Sequence, residues 1–490
     1  MAIPDQLKNQ HLFWRAGFGP AVEQLDSLKH FTSAEVYAAF VKASSGKTTY
    51  IDVAGNYIDG FMKGIDEANK LQPRDLTSEE RRRRQQQNRQ GIRSLNTHWL
   101  HEMVQSPAQL REKMAFFWHG HFACRNLNVF YQQELLHIIR THALGNFRRL
   151  LKEVSRSAAM LFFLNNQQNR KGKPNENFAR EVMELFTLGR GHYSENDVKE
   201  AARAFTGWSA NVRGEFIFRK FQHDQGNKTI LGKTGNFDGD AVLDIILEQK
   251  QTARFIAEKV YCFFVNEIPD AEKINWLANR FYHHDYEISH LLDDIFTAAW
   301  FYDEKNIGTR IKSPVELLVG IRRMIPMTLQ NDDSLLVIQR LLGQVLFYPP
   351  NVAGWPGGRS WIDSSTLMLR MRLPQLFNDK DELNLSPKPD DDQMMGREEN
   401  DRAPAGSQKV RTTVRGVRFI DAKLEWQDFY NYLAPVQRDK LENAIAAALL
   451  QTKRAASAAL VRRFADETSR ESFIRSLTLQ YMSTPEYQMS

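Results

Sequence analysis

The sequence predicts an almost all-α protein, and two observations lead to this fold class. Apolar side chains recur at helical spacing along most of the chain, whereas the alternation typical of strands is sparse. One apolar stripe, at positions i, i+3, i+7 and i+11, consists of Ile92, Leu95, Trp99 and Met103. The best strand signal is the aromatic run within residues 214–219. We therefore expect helices throughout, with one small β-hairpin arm near residues 210–235.

Local signals place the starts of the helices. Thr77 and Glu80 form the pattern of a capping box ahead of the helix that carries the stripe. Ser106 followed by Pro107 predicts an N-cap and a first-turn proline for the next helix, which ends near Gly120. Periodicity predicts further helices at residues 129–143, 175–188, 195–206, 239–248, 251–265, 271–281, 287–299 and 313–324.

The character of the chain changes near the C-terminus. Residues 379–411 combine clustered charges with few apolar residues, which is typical of a flexible linker or loop. After residue 426, helical periodicity returns. The predicted organisation is a large helical core over residues 1–375, a linker over 379–411, and a C-terminal helical unit over 426–490 that packs on the core.

Composition places the chain among ordinary globular proteins. It has 490 residues, of which 25% are charged and 42% hydrophobic, and a formal net charge of +6. The arginine run at 81–84 comes without the aromatic pattern of a nucleic-acid reader, so nucleic-acid binding is not expected. Two cysteines, Cys124 and Cys262, give no disulfide framework.

Location is predicted from two missing signals. No apolar run reaches the roughly 18 residues that a membrane span needs. The first residues show no basic region followed by an apolar stretch, so no signal peptide is recognised. We expect a cytoplasmic protein, or a periplasmic one if an export signal has been removed.

Three segments concentrate histidines and carboxylates more densely than a structural core requires. Imidazole and carboxylate groups without a thiolate suit iron, manganese or zinc. If the three segments converge, they form a site for one such transition-metal ion. The candidate ligands are His119, His121, Glu181, His223 and Asp224.

The first two candidates lie two residues apart. On a regular helix their side chains would point roughly 200° away from each other. Both can reach one ion only if the chain turns or extends at Gly120, which a glycine permits. The alternative is that both are buried and bonded to the backbone, or charged at a helix C-terminus. His223 can likewise be a ligand supported by Asp224, or an ordinary turn histidine.

The second segment also suggests proton transfer. Glu181 and Glu184 lie three residues apart on a predicted helix and therefore share a face. Arg180 can supply the cation that a carboxylate on a largely apolar helix needs. Glu181, Glu184 and Arg180 are therefore the candidate catalytic residues. The alternative is a solvated ladder of ion pairs, in which Glu176, Arg180 and Glu184 are spaced four apart.

A proline- and glycine-rich loop follows the last predicted helix. It spans residues 349–358, and it brings Trp355 with it and Trp361 shortly after. Aromatic side chains on a rigid loop can line a substrate pocket. Packing of the same rings against the helical core is the alternative.

Motifs spread over roughly residues 11 to 375 carry a family resemblance. They lie at residues 11–19, 110–122, 143–148, 174–181, 186–189, 204–208, 313–317 and 349–358, and include Phe117-Trp118-His119-Gly120-His121-Phe122. Together they are similar to the motifs of a bacterial family called domain of unknown function 1800. That family is uncharacterised, so the resemblance implies no activity. It implies that relatives are often exported, which this chain's start does not match. It also implies a candidate partner from a sulfatase-like family often encoded beside them.

Two functions are predicted from these observations. The first is a metal-dependent enzyme that acts on an unknown small-molecule or peptide substrate at a His/Glu-lined site between helices. Iron or manganese would favour oxidation. Zinc would favour hydrolysis by metal-bound water, with Glu181 or Glu184 as the proton acceptor. The second is a non-enzymatic binding or assembly factor, in which the same histidines and carboxylates form a buried polar network.

Overall fold

Helices form most of the structure, as the sequence predicts. The computed structural model describes residues 3–55, 77–211, 213–379, 420–451 and 458–490. With 62% of residues in helices and 6% in strands, the predicted fold class is confirmed. Within these ranges, no helix combines the length and the hydropathy needed to cross a bilayer.

The helices are numbered in chain order. Helices α1 to α8 are Asp5–Ala16, Ser27–His30, Ser33–Ser44, Ser78–Gln105, Gln109–His121, Val129–His142, Phe147–Arg156 and Ala158–Phe163. Helices α9 to α15 are Asn177–Glu181, Glu195–Ala204, Gly239–Leu247, Lys250–Phe264, Ala271–His283, Ile288–Phe296 and Pro314–Met324. Helices α16 to α21 are Asp333–Leu342, Ser364–Asp379, Gln427–Leu433, Leu441–Leu449, Ala458–Arg462 and Arg470–Met482. A π-helical turn, Val182–Thr187, follows α9 directly.

Helix α4 begins where the sequence predicts. The Thr77 hydroxyl accepts the Glu80 N–H at 3.2 Å, and the Glu80 carboxylate accepts the Thr77 N–H at 2.8 Å. All four residues of the predicted stripe on this helix are buried. Local capping and apolar periodicity are thus sufficient to predict where this helix begins and which of its faces is buried.

The start of α5 differs from the prediction. Ser106 is the C-cap of α4, since its N–H donates to the carbonyl of Glu102 at 2.8 Å. Its hydroxyl then accepts the Ala108 N–H at 3.2 Å, and α5 begins only at Gln109. The assignment of Ser106 as the N-cap of α5 was therefore wrong, because Ser106 ends α4 and a short turn lies between it and the start of α5.

Helix α5 is enclosed by α1, α3, α4 and α6. Each of its residues except Gly120 is buried, including Arg111 and two further charged residues. Glu112 accepts the indole N–H of Trp99 at 3.0 Å, and Arg140 donates to both of its oxygens at 2.8 and 2.9 Å. The other charged residue, Lys113, needs a counter-ion from outside these helices.

Glu316 of α15 supplies that counter-ion. Its carboxylate accepts Lys113 Nζ at 2.5 Å and the two Nη atoms of Arg310 at 2.8 and 3.0 Å. It also accepts the Ser313 N–H at 2.8 Å, which closes a capping box at the start of α15. Lys113 donates in turn to the carbonyl of Trp14 in α1 at 3.1 Å. This buried cluster therefore ties α1, α5 and α15 together.

Charge in this cluster decides the protonation of its members. Burial alone would raise the pKa of Glu316, but Arg310 and Lys113 outweigh that effect and hold the pKa well below its usual range. Burial lowers the pKa of Lys113 to about 8, against the opposing attraction of Glu316. Near neutral pH the carboxylate is therefore ionised between its cations.

Three small antiparallel hairpins accompany the helices. Strand β1 (Trp208–Ala210) pairs with β2 (Phe216–Phe218), with Ser209 opposite Ile217. Strand β3 (Lys228–Ile230) pairs with β4 (Lys233–Gly235). The single arm expected near residues 210–235 is thus two successive hairpins. A third, unpredicted pair joins β5 (Met327–Leu329) to the distant β6 (Ala422–Leu424).

The C-terminal residues contact the rest of the chain directly. Gln10 Nε2 donates to the carbonyl of Ala448 at 2.8 Å, and Arg15 Nη2 donates to the carbonyl of Ser490 at 2.8 Å. Almost all of the predicted linker over 379–411 lies outside the described residues. The division into a core over 1–375 and a C-terminal unit over 426–490 stays a prediction.

Replacing Glu316 should destabilise the protein far more than replacing an exposed capping carboxylate. In Glu316→Gln the cap can still form, but Lys113 and Arg310 lose their buried counter-ion, so we expect a loss of about 3–5 kcal/mol in the free energy of unfolding. Glu35 makes the same capping box with Thr32 at the protein surface. Glu35→Gln should therefore change stability by less than about 0.5 kcal/mol. Urea unfolding followed by circular dichroism measures both, and equal losses would contradict the role of the buried cluster.

Candidate functional site

The two histidines of α5 do not point to one place. The helix continues without a break through Gly120 to His121. Side chains two residues apart on such a helix point roughly 200° away from each other. The turn at Gly120 that both histidines would need in order to reach one ion is therefore not formed.

His119 faces the loop that contains Trp355. Its Nε2 atom accepts the N–H of Phe347 at 3.2 Å, so the ring proton is on Nδ1 and Nε2 is already occupied. The imidazole stacks on the indole of Trp355, with ring centres 5.4 Å apart and planes at 20°. Burial lowers the pKa of His119 to about 3, so the ring is neutral at physiological pH. Its visible role is to support Trp355 and the backbone at Phe347.

His121 faces the opposite side, toward the π turn. Its Nε2 lies 3.1 Å from the carbonyl oxygen of Phe186, and since a carbonyl can only accept, Nε2 carries the proton. Burial holds the pKa of His121 well below its usual range, and the nearby Lys259 lowers it further, against the bond to Phe186. His121 is therefore a neutral ring whose orientation is fixed by the backbone.

The predicted catalytic residues are held by other partners. Arg180 donates to both oxygens of Glu195 at 2.8 Å and to Glu176 at 3.2 Å. Glu184 instead accepts a hydrogen bond from the Tyr193 hydroxyl. The expected spacing from Arg180 to Glu184 changes because α9 gives way to the wider π turn between them. Burial, and then the charge of Glu184, raises the pKa of Glu181.

His223 and Asp224 fasten their own loop to the end of α10. His223 Nδ1 donates to the carbonyl of Thr206 at 3.0 Å. Asp224 accepts from Arg203 Nε at 2.9 Å and Nη2 at 3.1 Å, and this guanidinium lowers the pKa of Asp224 to about 2. Both side chains thus have structural partners within reach.

These contacts bear on the predicted metal site. In the part of the chain that the structure describes, no three His, Cys, Asp or Glu side chains form a group that could hold a metal ion. The predicted convergence of the three segments is therefore not seen, because each is bound to its own neighbours. Metal binding, and the metal-dependent enzyme with it, stays a prediction that the geometry does not support.

A cavity of about 600 Å³ lies beside the C-terminal half of α5. Helix α5 contributes Phe117, Gly120 and His121 to its lining, and α12 contributes Lys259, Cys262 and Phe263. Glu267, Arg310, Ser313 and Gln344 line it as well. Residues 353–361 complete the wall, mainly through Trp355, Gly357, Gly358, Arg359 and Trp361.

Two glycines hold the 353–361 loop against its neighbours. Gly354 has a φ of 83°, and a Cβ at this position would lie 2.5 Å from the carbonyl oxygen of Gly120. Gly358 has a φ of 60°, and a Cβ there would lie 2.5 Å from a carboxylate oxygen of Glu267. The loop therefore packs backbone-to-backbone on α5, at the residue between the two histidines.

Aromatic rings make up much of the cavity wall. Phe117 and Phe263 pack with ring centres 5.2 Å apart, and the guanidinium of Arg310 lies 4.5 Å from the Phe263 ring centre. Trp361 is 7% exposed and Trp355 is half-buried. Both alternatives for the loop tryptophans hold for Trp355, which lines the cavity and packs on His119.

Lys259 is the cavity residue that sequence analysis missed. It lies half-buried on α12, with its ammonium 4.9 Å from the ring centre of Phe255. Burial lowers the pKa of Lys259. Burial is also the largest of the effects that raise the pKa of Cys262 to about 11. The signal was present in the sequence, since Lys259 shares an apolar helical stripe with Ile256 and Phe263. A lysine on such a stripe indicates either a buried counter-ion or a pocket.

Comparison with known protein families gives one match. A family described as "Protein of unknown function (DUF1800)" matches residues 11–489, which include the whole lining of the cavity. Comparison with the curated proteins and with the solved structures gave no significant match.

Alanine at Gly354 should disturb the loop, whereas alanine at Gly357 should not. Gly354→Ala forces a side chain into the left-handed region and against a backbone oxygen, at a cost of about 1–3 kcal/mol. A Cβ at Gly357 would meet nothing within 4 Å, and its φ of −92° suits any residue. Gly357→Ala should therefore stay within about 0.5 kcal/mol of the parent. Urea unfolding compares the two, and equal stabilities would show that the loop does not pack on α5 as described.

Neutral His119 should make stability depend on acid pH. Because its folded-state pKa is lowered, its contribution is complete above the unfolded value of 6.5 and is lost as the pH falls toward about 3. In His119→Gln the amide oxygen can accept the Phe347 N–H but does not titrate. Between pH 6 and pH 4, the free energy of unfolding should fall less steeply in this variant than in the parent protein. The difference between the two slopes should be about 1.4 kcal/mol per pH unit.

The matched control is His98→Gln, which removes an exposed histidine of α4. Urea unfolding at several pH values compares the slopes. The control should run parallel to the parent protein, and a parallel His119→Gln curve would mean that His119 is not held neutral.

Proposed function

The chain belongs to the DUF1800 family of proteins of unknown function, and we propose that it binds a small organic anion in the cavity between α5, α12 and residues 353–361. The observation that carries the proposal is Lys259, a half-buried cation beside aromatic walls. The ligand's charged group would lie near Lys259, and its planar or apolar body would lie against the rings. The volume of the cavity is in the range of small-molecule sites.

The charge balance of the lining supports an anion. Among the described residues, neither Lys259 nor Arg359 forms an ion pair. The carboxylate of Glu267 lies against Gly358 and accepts the N–H of Ile311 at 3.4 Å. Arg310 is paired with Glu316, which it shares with Lys113. The lining groups outside ion pairs are thus two cations, the half-buried Lys259 and the exposed Arg359, against one carboxylate. Partial burial of Lys259 without a counter-ion costs free energy, which a bound anion would offset.

The chemical state of the other polar groups favours binding over nucleophilic chemistry. The raised pKa of the Cys262 thiol keeps it protonated at neutral pH, and a thiol is a poor nucleophile. His121 is neutral, and its Nε2–H is already donated to the backbone. The proposal therefore follows the second predicted function, a binding factor, but places the site at Lys259 instead of at the His/carboxylate segments.

Isothermal titration calorimetry with aromatic probes tests this proposal. We expect naphthoate and naphthalene sulfonate to bind with dissociation constants below about 1 mM, and neutral naphthol to bind at least tenfold more weakly. Lys259→Gln should weaken binding of the two anions by about tenfold or more, because it removes the cation and keeps a similar shape.

The control is Lys250→Gln, which removes an exposed lysine from the first turn of the same helix. It should leave the affinities within about twofold of the parent. Naphthol binding as tightly as the anions, or a Lys259 variant that behaves like the Lys250 variant, would contradict an anion site.

A further inference from the structure

The side chain of Phe221 is apolar, yet it is largely exposed to solvent. Among the described residues, its exposed fraction of 82% is the highest of the large apolar side chains. It lies in the 3₁₀ turn Lys220–Gln222, which follows β2. Leaving a whole phenylalanine ring in water forgoes the free energy of burying it, so this ring is available to an apolar partner.

Cationic residues lie on the turn of Phe221 and on the segment next to it. Residues 170–173 run beside the turn, since the N–H of Lys171 donates to the carbonyl of Gln222 at 2.7 Å. All the cationic residues of the two segments named here are exposed. We call the set Arg170, Lys171, Lys173, Lys220 and Phe221 the Phe221 patch.

Nearby carboxylates do not neutralise these cations. Glu176 pairs with Arg180 at 3.2 Å, and Asp224 pairs with Arg203 at 2.9 Å. Among the described residues, none of the four cations of the Phe221 patch takes part in an ion pair. The patch therefore carries four uncompensated positive charges and one exposed apolar ring on two segments that are joined by their backbones.

The backbone holds the two segments in place. Gly207 donates its N–H to the carbonyl of Asn169 at 3.0 Å and accepts the N–H of Arg219 at 2.8 Å. Its φ is 84°, and a Cβ there would lie 2.7 Å from the carbonyl oxygen of Arg219. A glycine is thus needed where the segments are joined, and the Phe221 patch is fixed before any partner arrives.

We propose that the Phe221 patch docks the protein on the surface of an anionic lipid bilayer. Lysine and arginine near such a surface are attracted by its negative potential. An aromatic ring at the tip of the same surface can enter the boundary between headgroups and acyl chains. The patch offers both, in one small and protruding area, and the proposal does not use the cavity at Lys259.

The shape favours a bilayer over a nucleic acid. Single-stranded nucleic acids are held by a groove with several stacking rings along a charged track. The Phe221 patch has one exposed ring, and its neighbours on β1 and β2 are buried or half-buried. A flat, fluid surface can accept one protruding ring and spread its charge among four cations.

Vesicle co-sedimentation tests the proposal. The full-length protein is mixed with vesicles of phosphatidylcholine that contain about a third phosphatidylserine, or with phosphatidylcholine alone. We expect binding to the anionic vesicles to be at least tenfold stronger, and to weaken as salt is raised. Phe221→Ala should weaken binding by about tenfold. Joint replacement of Lys171, Lys173 and Lys220 by glutamine should weaken it by about a hundredfold, at roughly fivefold for each charge.

Matched controls separate the patch from general stickiness. Ile268→Ala removes another exposed apolar side chain, of 77% exposure, and replacement of Arg81, Arg82 and Arg83 by glutamine removes three charges elsewhere. Both should leave vesicle binding within about twofold. Equal binding to the two kinds of vesicle, or patch variants that behave like these controls, would overturn the proposal. The proposal would also be overturned if the parent protein bound an oligonucleotide but no vesicles, and if the patch variants lost that oligonucleotide binding. The patch would then be assigned to nucleic acid.

Discussion

One buried carboxylate fixes how the central helices meet. Glu316 accepts bonds from Lys113 of α5 and from Arg310, and it caps the helix to which it belongs. Two cations and one anion can be buried together only when their geometry satisfies all of them. Because Lys113 is also bonded to the carbonyl of Trp14, the cluster sets α5 against both α1 and α15. The wall of the cavity that contains Arg310 follows from this arrangement.

Helix α5 directs its two histidines into different surroundings. Its continuity through Gly120 sends His119 toward the aromatic loop and His121 toward the π turn. The close approach of Gly354 to Gly120 then lays the loop along the helix. Histidines that suggest a metal centre in the sequence are, in the fold, neutral rings that support a cavity. The unpaired charge that gives the cavity its character comes from Lys259.

Prediction succeeded where the signal was local. The capping box of Thr77 and Glu80 fixed the start of α4, and the apolar periodicity placed the helices predicted between residues 129 and 324 within a few residues of their observed bounds, whereas α1–α3, α7, α8 and α16–α21 were given no bounds of their own. It failed at Ser106, where one serine faces two helix ends and only the packing of α4 on α5 selects between them. The alternative ladder of Glu176, Arg180 and Glu184 forms only in its first pair, since Glu184 lies in a π turn and not in the regular helix that was assumed.

The sequence by itself determined the fold class, about half of the helix positions and the family, because each rests on neighbours along the chain or on ordered motifs. The tertiary structure alone decided which charged groups meet. Whether Glu316 neutralises Lys113, or whether Lys259 is left without a partner, depends on residues far apart in sequence. Electrostatic pairing in a low-dielectric interior acts over a few ångströms of space and is blind to chain distance. Which charged groups of the cavity are paired and which are not was therefore decided only by the assembly of the helices.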